Sequence, residues 1–460
     1  MIPVIALVGR PNVGKSTLFN RLTRSRDAIV DDQPGVTRDR LYGRGKLGTS
    51  NHLVVDTGGL EAERDRFSDL IRQQVEEVLE EADHVLFLVD MNDGLVPQDR
   101  EIANQLRQRM QSVTLVVNKA DGVDEAMATA EFQELALGEP VAISAKRGDG
   151  VSALIESVLP DVEEVDDVDD SEMRFVLAGR PNVGKSTLAN KLVGEYRVIV
   201  SDTPGTTRDS VRIPLLYDGE NITLIDTAGV RRRSRVDEVL EKFSVIKTLQ
   251  AIEDSHVVGL VLDASAEIGS QDATIAGMVK GLGKSIVVIV NKWDRLDSHQ
   301  RKKIRNELEI KLPFLPDPEI IHISALHGSR ISEVMPAALR GFRSAMISLG
   351  TASLNRTLAA ATARSAPPMH HQRPVRLKFA HQSGKNPPVV VVHGNQAESI
   401  PDAYRRYLSR FFSRHYKLVG TPLKVIPRNG KNPFEAKTAD KKNSKTSLSK
   451  HKKKRAGKRH

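Results

Sequence analysis

A stretch of ten residues, GRPNVGKSTL, occurs twice in this chain of 460 residues, first from Gly9 and again from Gly179. The duplication continues beyond it, since DDQPGVTRD is matched by SDTPGTTRD and DTGG by DTAG, each pair 170 residues apart. Further along, NKAD pairs with NKWD and SAK with SAL, in the same order. Self-similarity of this length predicts a duplicated domain.

Each copy alternates short apolar runs with polar segments of helical length. The first contains VIALVG, HLVVD, HVLFLVD, TLVVN and VAIS, and the second contains RFVLAG, ITLID, HVVGLVLD, IVVIVN and IIHIS. Continuous Val/Ile/Leu runs are typical of strands buried on both faces of a parallel sheet. The pattern predicts two doubly wound α/β domains with their working loops at the carboxyl ends of the strands.

Outside the two copies of the repeat, the chain has one acidic segment and one basic segment. Residues 159–173 carry eight acidic and no basic residues, which indicates a solvated linker that is either a mere spacer or regulatory. Residues 374–434 carry eleven basic and two acidic residues, and their pattern predicts three strands and one amphipathic helix, PDAYRRYLSRFFSRHY. The predicted divisions are an α/β domain (1–158), a linker (159–173), a second α/β domain (174–350), a small α/β domain (351–434) and a basic disordered tail (435–460).

Composition excludes several classes of protein. The chain has no cysteine, so disulfides and cysteine-based metal sites are absent. Its apolar runs are far shorter than the ~20 residues of a membrane span, and its first residues lack the basic region of a signal peptide. We therefore expect a cytoplasmic protein without a membrane partner.

Both copies of GRPNVGKS fit the pattern G-x-x-x-x-G-K-[ST] between a strand and a helix. Glycines allow backbone N–H groups to close on phosphates, and the helix N-terminus adds its dipole. Lys15 and Lys185 are expected to meet the β- and γ-phosphates, and Ser16 and Ser186 to ligate Mg²⁺. One match could be a chance glycine-rich turn, but two in the same context predict phosphate binding.

NKAD and NKWD identify the base. A carboxylate at Asp121 or Asp294 can accept from both the N1–H and the 2-amino group of guanine, whereas adenine presents no such pair of donors. The tetrapeptide alone also occurs as polar surface sequence. Found twice at a similar distance after a phosphate motif, it predicts guanine recognition, and SAK and SAL would add a backbone contact to the base.

Two further motifs are suited to the metal and the γ-phosphate. The aspartate of DTGG and DTAG could hold the Mg²⁺ shell through water, and the last glycine could sense the γ-phosphate. The threonine of PGVTRD and PGTTRD would complete the metal site, or would satisfy only its own loop. Thr206 is a rival in the second copy, but Val36 stands at that place in the first. The residues so predicted are Asp56, Gly59, Asp226, Gly229, Thr37 and Thr207.

The position after DTGG and DTAG is unusual. Many GTPases place a glutamine there to orient the attacking water, whereas this chain has Leu60 and Val230. Asn12 and Asn182, inside the phosphate motifs, are candidates to hold a monovalent cation in compensation. The alternative is that these asparagines only brace the loop.

Taken together, GRPNVGKST, PGVTRD, PGTTRD and NKWD make nearly the whole chain resemble the bacterial Der (EngA) family of double-Era-like GTPases. The resemblance implies two tandem P-loop GTPase domains with mostly parallel sheets, followed by a KH-like domain. It implies GTP hydrolysis with Mg²⁺ and stimulation by K⁺, which favours Asn12 and Asn182 as K⁺ ligands. No G-x-x-G loop is visible in residues 374–434, so contact with folded RNA or with a GTPase domain is more plausible than the usual KH clamp.

The resemblance also implies a function and partners. We expect a factor for assembly of the large (50S) ribosomal subunit, which binds the subunit precursor and its rRNA, binds no DNA and is a monomer off the ribosome. In the basic helix, an RNA-facing set recurs at helical spacing: Arg405, Arg406, Arg410 and Arg414. A solvated charged face is the alternative for these arginines. For the whole chain, the alternative is a GTP-gated RNA-binding scaffold whose hydrolysis is vestigial.

The predicted nucleotide site has two matching halves. Its catalytic members are Asn12, Lys15, Thr37 and Gly59, and then Asn182, Lys185, Thr207 and Gly229. The GTP-binding residues of the first half are Gly9, Arg10, Pro11, Asn12, Val13, Gly14, Lys15, Ser16, Thr17, Asp56, Thr57, Gly58, Gly59, Asn118, Lys119, Asp121, Ser144 and Ala145. Those of the second half are Gly179, Arg180, Pro181, Asn182, Val183, Gly184, Lys185, Ser186, Thr187, Asp226, Thr227, Ala228, Gly229, Asn291, Lys292, Asp294, Ser324 and Ala325.

Overall fold

The computed structural model describes residues 3–23, 42–47, 52–57, 82–109, 112–159, 172–198, 211–226, 245–369 and 373–430. Within the chain there are two compact units, Met1–Ser344 with Val419–Thr421, and Ala345–Leu418 with Pro422–His460. Most of the predicted linker and the whole basic tail lie outside the described residues.

The first copy of the repeat is built on a sheet of six described strands in the order β2-β3-β1-β4-β5-β6. Neighbouring strands are parallel except for β2 and β3. The strands are β1 (Val4–Val8), β2 (Tyr42–Arg44), β3 (Leu53–Asp56), β4 (His84–Asp90), β5 (Val113–Asn118) and β6 (Val141–Ala142). The helices are α1 (Lys15–Leu22), α2 (Pro97–Arg109), α3 (Glu125–Thr129) and α4 (Val151–Val158).

Both faces of this sheet are buried. Ile5 and Leu7 of β1 share a core with residues of α1 and α4. Their neighbours Val4 and Ala6 point to the opposite face and pack in a core that includes Leu106 of α2. Because successive side chains of a strand alternate between faces, a continuous apolar run is what a doubly covered strand requires.

The second copy has a sheet of seven described strands in the order β13-β12-β11-β7-β10-β9-β8. Strand β9 is antiparallel to both of its neighbours, β10 and the edge strand β8, and the other neighbouring pairs are parallel. The strands are β7 (Met173–Ala178), β8 (Arg197–Val198), β9 (Val211–Tyr217), β10 (Glu220–Asp226), β11 (Val257–Asp263), β12 (Ser285–Asn291) and β13 (Glu319–His322). The helices are α5 (Lys185–Glu195), α6 (Val245–Asp254), α7 (Ser270–Gly281), α8 (Ser298–Lys311) and α9 (Val334–Ala345).

The two mostly parallel sheets confirm the predicted α/β class, but the strands with antiparallel pairing, β2, β8 and β9, were not predicted. Strand β9 joins β10 through a tight turn at Asp218 and Gly219, which have φ of 51° and 80°. An Asp-Gly pair in this conformation is a strong hairpin signal. The sequence YDGEN therefore indicates the hairpin through its Asp-Gly turn, although the flanking strands are not continuous apolar runs.

The second unit contains a three-stranded sheet covered by two helices. Strand β15 (Val389–Asn395) lies between β14 (Arg376–Gly384), which is antiparallel to it, and β16 (Lys424–Asn429), which is parallel. Helices α10 (Thr351–Arg364) and α11 (Asp402–His415) share one apolar core with the strands. The predicted strands and amphipathic helix are confirmed, and α10 is an additional helix.

No helix within the described ranges is long and apolar enough to cross a membrane. The longest, α8, α10 and α11, have 14 residues each, whereas a span needs ~20.

A buried histidine makes the stability of the second copy depend on pH. His256 is fully buried, its ring lies 5.1 Å from that of Phe342, and its Nδ1 accepts from the backbone N–H of Arg174 at 3.0 Å. Burial, with the nearby charges of Arg174 and Lys284, lowers the pKa of His256 to about 3. In the unfolded chain this pKa is ~6.5, so below pH 6.5 the unfolded state binds more protons and stability falls as pH falls.

We therefore expect the contribution of His256 to the free energy of unfolding to fall by about 1.4 kcal/mol for each unit by which the pH is lowered between pH 6 and pH 4. Urea unfolding at a series of pH values, followed through Trp293, would measure this slope. Other histidines also contribute, so the informative quantity is the difference from His256→Asn, which keeps a hydrogen-bond acceptor. Equal slopes in the two proteins would contradict the prediction.

Candidate nucleotide-binding site

The loop between β1 and α1 has the backbone shape that the phosphate motif requires. Gly9 and Gly14 have φ of 146° and 101°, which favour glycine. A Cβ on Gly9 would clash with the carbonyl oxygen of Leu88, and one on Gly179 with that of Val261. Gly14 caps α1 without a side-chain hydrogen bond, and the first N–H groups of a helix, which have no partner within the helix, are suited to bind an anion.

The lysine of each phosphate motif is hydrogen-bonded to the backbone of its own loop. Lys15 Nζ donates to the carbonyl oxygens of Gly9 and Arg10, the latter at 2.9 Å. Lys185 Nζ donates in the same way to the carbonyl oxygen of Arg180 at 2.8 Å. Each ammonium group is therefore held beside the backbone that would surround the phosphates.

In the first copy, the structure brings together two oxygen atoms that are suited to ligate Mg²⁺, the hydroxyl of Ser16 and a carboxylate oxygen of Asp56. Ser16 Oγ donates to Asp56 Oδ2 at 2.8 Å, and the next residue, Thr57, anchors the strand end by donating to the Leu7 carbonyl oxygen at 2.7 Å. A hydroxyl and a carboxylate are hard oxygen ligands that fit Mg²⁺. In the second copy, Ser186 lies at the start of α5 and the backbone of Asp226 ends β10.

Part of the predicted site lies outside the described residues. These members are Thr37, Gly58 and Gly59 of the first copy and Thr207, Thr227, Ala228 and Gly229 of the second. The positions that carry Leu60 and Val230 also lie outside them.

An asparagine joins the phosphate loop to the base motifs in both copies. Asn118 Nδ2 donates to the Val13 carbonyl at 2.8 Å, and its Oδ1 accepts from Ala145 N at 2.9 Å. Asn291 makes the matching pair of hydrogen bonds, at 2.8 Å and 2.9 Å. Three motifs that are distant in sequence therefore meet at one buried amide.

The base-reading carboxylates are held by the serines of SAK and SAL. Ser144 Oγ donates to Asp121 Oδ1 at 2.6 Å. In the second copy, the hydroxyl of Ser324 is the main cause that lowers the pKa of Asp294. Asp294 is consequently a carboxylate that can accept from guanine at neutral pH.

Sequence reasoning missed a carboxylate partner of the NKxD lysines. Lys119 Nζ pairs with Asp90 at the end of β4, and Lys292 Nζ pairs with Asp263 at the end of β11 at 2.5 Å. Burial alone would raise the pKa of Asp263, but hydrogen bonds from Lys292 and Ser265 lower it overall. The signal was present, since Asp90 and Asp263 are separated by the same 173 residues as Asn118 and Asn291.

Comparison with known proteins agrees with this geometry. A model described as 50S ribosome-binding GTPase matches residues 4–119 and 174–292, and one described as KH-domain-like of EngA bacterial GTPase enzymes, C-terminal, matches residues 349–428. GTPase Der of Thioalkalivibrio sulfidiphilus is 51% identical over 442 residues, 95% of each chain. GTPase Der of Chromobacterium violaceum is 52% identical over 444 residues, 96% of this chain and 94% of its own.

The chain belongs to the GTPase Der family. Der-family membership confirms two tandem GTPase regions followed by a KH-like domain, and it makes the chain a GTP-binding, GTP-hydrolysing enzyme. This favours the enzyme over the scaffold with vestigial hydrolysis. Among solved structures, Era in complex with MgGDPNP and nucleotides 1506–1542 of 16S ribosomal RNA aligns with 56% of this chain and 93% of its own, at 22% identity and a TM-score of 0.30.

Proposed function

We propose that this GTPase is an assembly factor of the large (50S) ribosomal subunit, and that the nucleotide states of its two GTPase domains set the arrangement of the domains and thereby its affinity for the subunit precursor. The observation that carries the proposal is the match of both copies to the family described as 50S ribosome-binding GTPase. The KH-like match over residues 349–428 supports an RNA partner. We further propose that the protein acts in the cytoplasm and is a monomer off the ribosome.

Within each site, the chain's residues bind and orient the triphosphate. Lys15 and Lys185 would place a positive charge at the β- and γ-phosphates, while the N–H groups at the start of α1 and α5 donate to the phosphate oxygens. Asp121 and Asp294 would accept from guanine. The reaction proposed is attack of water on the γ-phosphate, which gives GDP and phosphate.

Two cations fit the donor sets of the site. Mg²⁺, held by Ser16 and Asp56 with Thr37, would supply positive charge to the phosphate oxygens, and Ser186, Asp226 and Thr207 are the matching set. K⁺ would supply charge where another enzyme uses an arginine finger. Its proposed ligands Asn12 and Asn182 are exposed at the turn of each loop.

The KH-like domain presents a basic helix to RNA. Helix α11 buries Tyr404, Leu408 and Phe412 in the core, and Arg410 and Arg414 are exposed one turn apart. Arg405 instead pairs with Asp402 at 3.1 Å, and Arg406 is half-buried. We therefore propose Arg410 and Arg414 as the stronger RNA contacts of the predicted four.

The proposal is tested by binding of the full-length protein to large-subunit precursor particles. We expect at least fivefold different affinities with a non-hydrolysable GTP analogue and with GDP, the usual size of coupling between two sites. Arg410→Glu with Arg414→Glu should weaken binding about tenfold and reduce its salt dependence. The matched control reverses the exposed Arg356 and Arg364 of α10. Binding that ignores both the nucleotide and the α11 charges would overturn the proposal.

A further inference from the structure

The second residue of each phosphate loop is an arginine. Its side chain contacts the segment that follows the adjacent parallel strand of the sheet, β4 in the first copy and β11 in the second. Arg180 Nε donates to Asp272 Oδ1 at 2.8 Å, and its Nη2 donates to the Glu267 carbonyl oxygen at 3.2 Å. In the first copy, Arg10 Nη2 donates to Asp93 Oδ2 at 2.8 Å, and its Nε lies 3.4 Å from Asp99 Oδ1.

The two aspartates are buried and occupy the same structural position. Asp99 and Asp272 are each 0% exposed. Each is the third residue of a helix and accepts from the backbone N–H just before that helix, Asp99 from Val96 at 3.4 Å and Asp272 from Gly269 at 2.9 Å. Burial raises the pKa of both carboxyls, against the opposing effect of the arginine. A buried carboxylate of this kind depends on its partner cation.

The sequence repeats this arrangement. PQDREIA around Asp99 is matched by SQDATIA around Asp272, and the two aspartates are 173 residues apart, the same offset as Asn118 and Asn291. Both copies place the loop arginine beside the carboxylate at the same position, within hydrogen-bond distance in the second copy and as a 3.4 Å ion pair in the first, so an incidental surface pair is a poor explanation.

The anchored arginine is joined directly to the motif lysine. The carbonyl oxygen of Arg180 receives Lys185 Nζ at 2.8 Å, and that of Arg10 receives Lys15 Nζ at 2.9 Å. In the second copy, the segment that ends at Asp272 begins at Asp263, whose carboxylate holds Lys292 of the base motif. One segment, residues 263–272, is thus tied to the phosphate loop at one end and to the base motif at the other.

We propose that Arg180 with Asp272, and Arg10 with Asp99, are positioning pairs that hold the phosphate loop in its nucleotide-binding shape without contacting the phosphates. The inference rests on the proposed assignment of this loop to phosphate. Because the loop surrounds the phosphates of GTP and GDP alike, the pairs contribute equally to binding of both nucleotides. Their loss should raise KM and leave kcat little changed.

The second site can be tested through Trp293, the only tryptophan, which lies inside NKWD. Asp272→Asn keeps the size of the side chain and an oxygen for Gly269 N–H, and removes the charge. We expect Kd for GDP and for a non-hydrolysable GTP analogue to rise together by about 10-fold to 100-fold. In a chain whose first site is inactivated by Lys15→Ala, KM should rise by a similar factor with kcat within about twofold.

A double-mutant cycle separates positioning from direct contact. If the pair only positions the loop, Arg180→Gln should add nothing in the Asp272→Asn background. Arg180→Lys, which keeps the positive charge, should bind nucleotide more tightly than Arg180→Gln and more weakly than the unchanged protein. An independent loss on Arg180→Gln would show that the arginine acts through a contact other than the one to Asp272, and would overturn the proposal. So would an Asp272→Asn variant that only lowers the Tm.

Two controls protect this test. Glu319→Gln breaks an exposed ion pair with Arg340 in the same domain and should leave Kd unchanged. Lys185→Ala should abolish binding at the second site. If it does not, the assignment of the phosphate loop is wrong, whereas an inert Asp272→Asn beside an inactive Lys185→Ala rejects only the positioning pair.

Discussion

The double variant Asp121→Asn with Asp294→Asn is expected to lower the affinity for GTP by about 10⁴-fold and to bind XTP more tightly than GTP. A site built to hydrogen-bond a specific donor pattern rejects a mismatched partner by 10⁴-fold to 10⁵-fold, because buried polar groups are left unpaired. The carboxylate can accept from both guanine donors. An amide presents one acceptor and one donor, which match the N1–H and the 2-oxo group of xanthine.

The hydrogen bond that holds the carboxylate of Asp121 in place can survive this change. The Ser144 hydroxyl that donates to Asp121 can donate equally to an amide oxygen. Titrations with GTP, XTP and ATP would measure the ratios of affinity, and Trp293 would report the second site in Asp294→Asn alone. Asp297→Asn, which keeps an N-cap acceptor for α8, is the matched control and should change nothing. An unaltered preference for GTP over XTP would contradict the assignment.

Replacing Asn12 and Asn182 by glycine is expected to abolish stimulation of hydrolysis by K⁺, with a fall in kcat of about 100-fold in potassium buffer. Charge placed beside the transferring phosphoryl group contributes factors of this size. Steady-state hydrolysis in K⁺ and in Na⁺ is the measurement, and Na⁺ rates should be nearly unaffected.

Glycine is the informative replacement because of the loop's backbone. Asn12 and Asn182 have φ of 67° and 62°, a conformation that favours asparagine and glycine over other residues. This gives the loop-bracing alternative its own physical basis. Glycine removes the amide but keeps the backbone, whereas alanine adds strain and should weaken nucleotide binding in both salts. A glycine variant that retains its K⁺ rate would favour bracing over ligation.

Some strands could be predicted from the sequence and others could not. The buried central strands were predicted because a strand covered on both faces is apolar along most of its length, as β11 and β12 are apart from their polar end residues. The antiparallel strands were missed because they are not continuously apolar: β9 carries an exposed Arg212 and a half-buried Pro214 among its apolar residues. The three-residue β2 is too short to show a period at all.

The same difference holds within the site. The phosphate loops and the NKAD and NKWD motifs could be read from the sequence by itself, because each chemistry is carried by neighbouring residues whose spacing is visible. Only the tertiary structure decided which acids serve the loop arginines. Arg180 and Asp272 are 92 residues apart, and they meet because β7 and β11 are adjacent parallel strands, whose carboxyl ends emerge at one edge of the sheet. Pairing between such strands depends on the packing of the whole domain, which no local pattern of residues expresses.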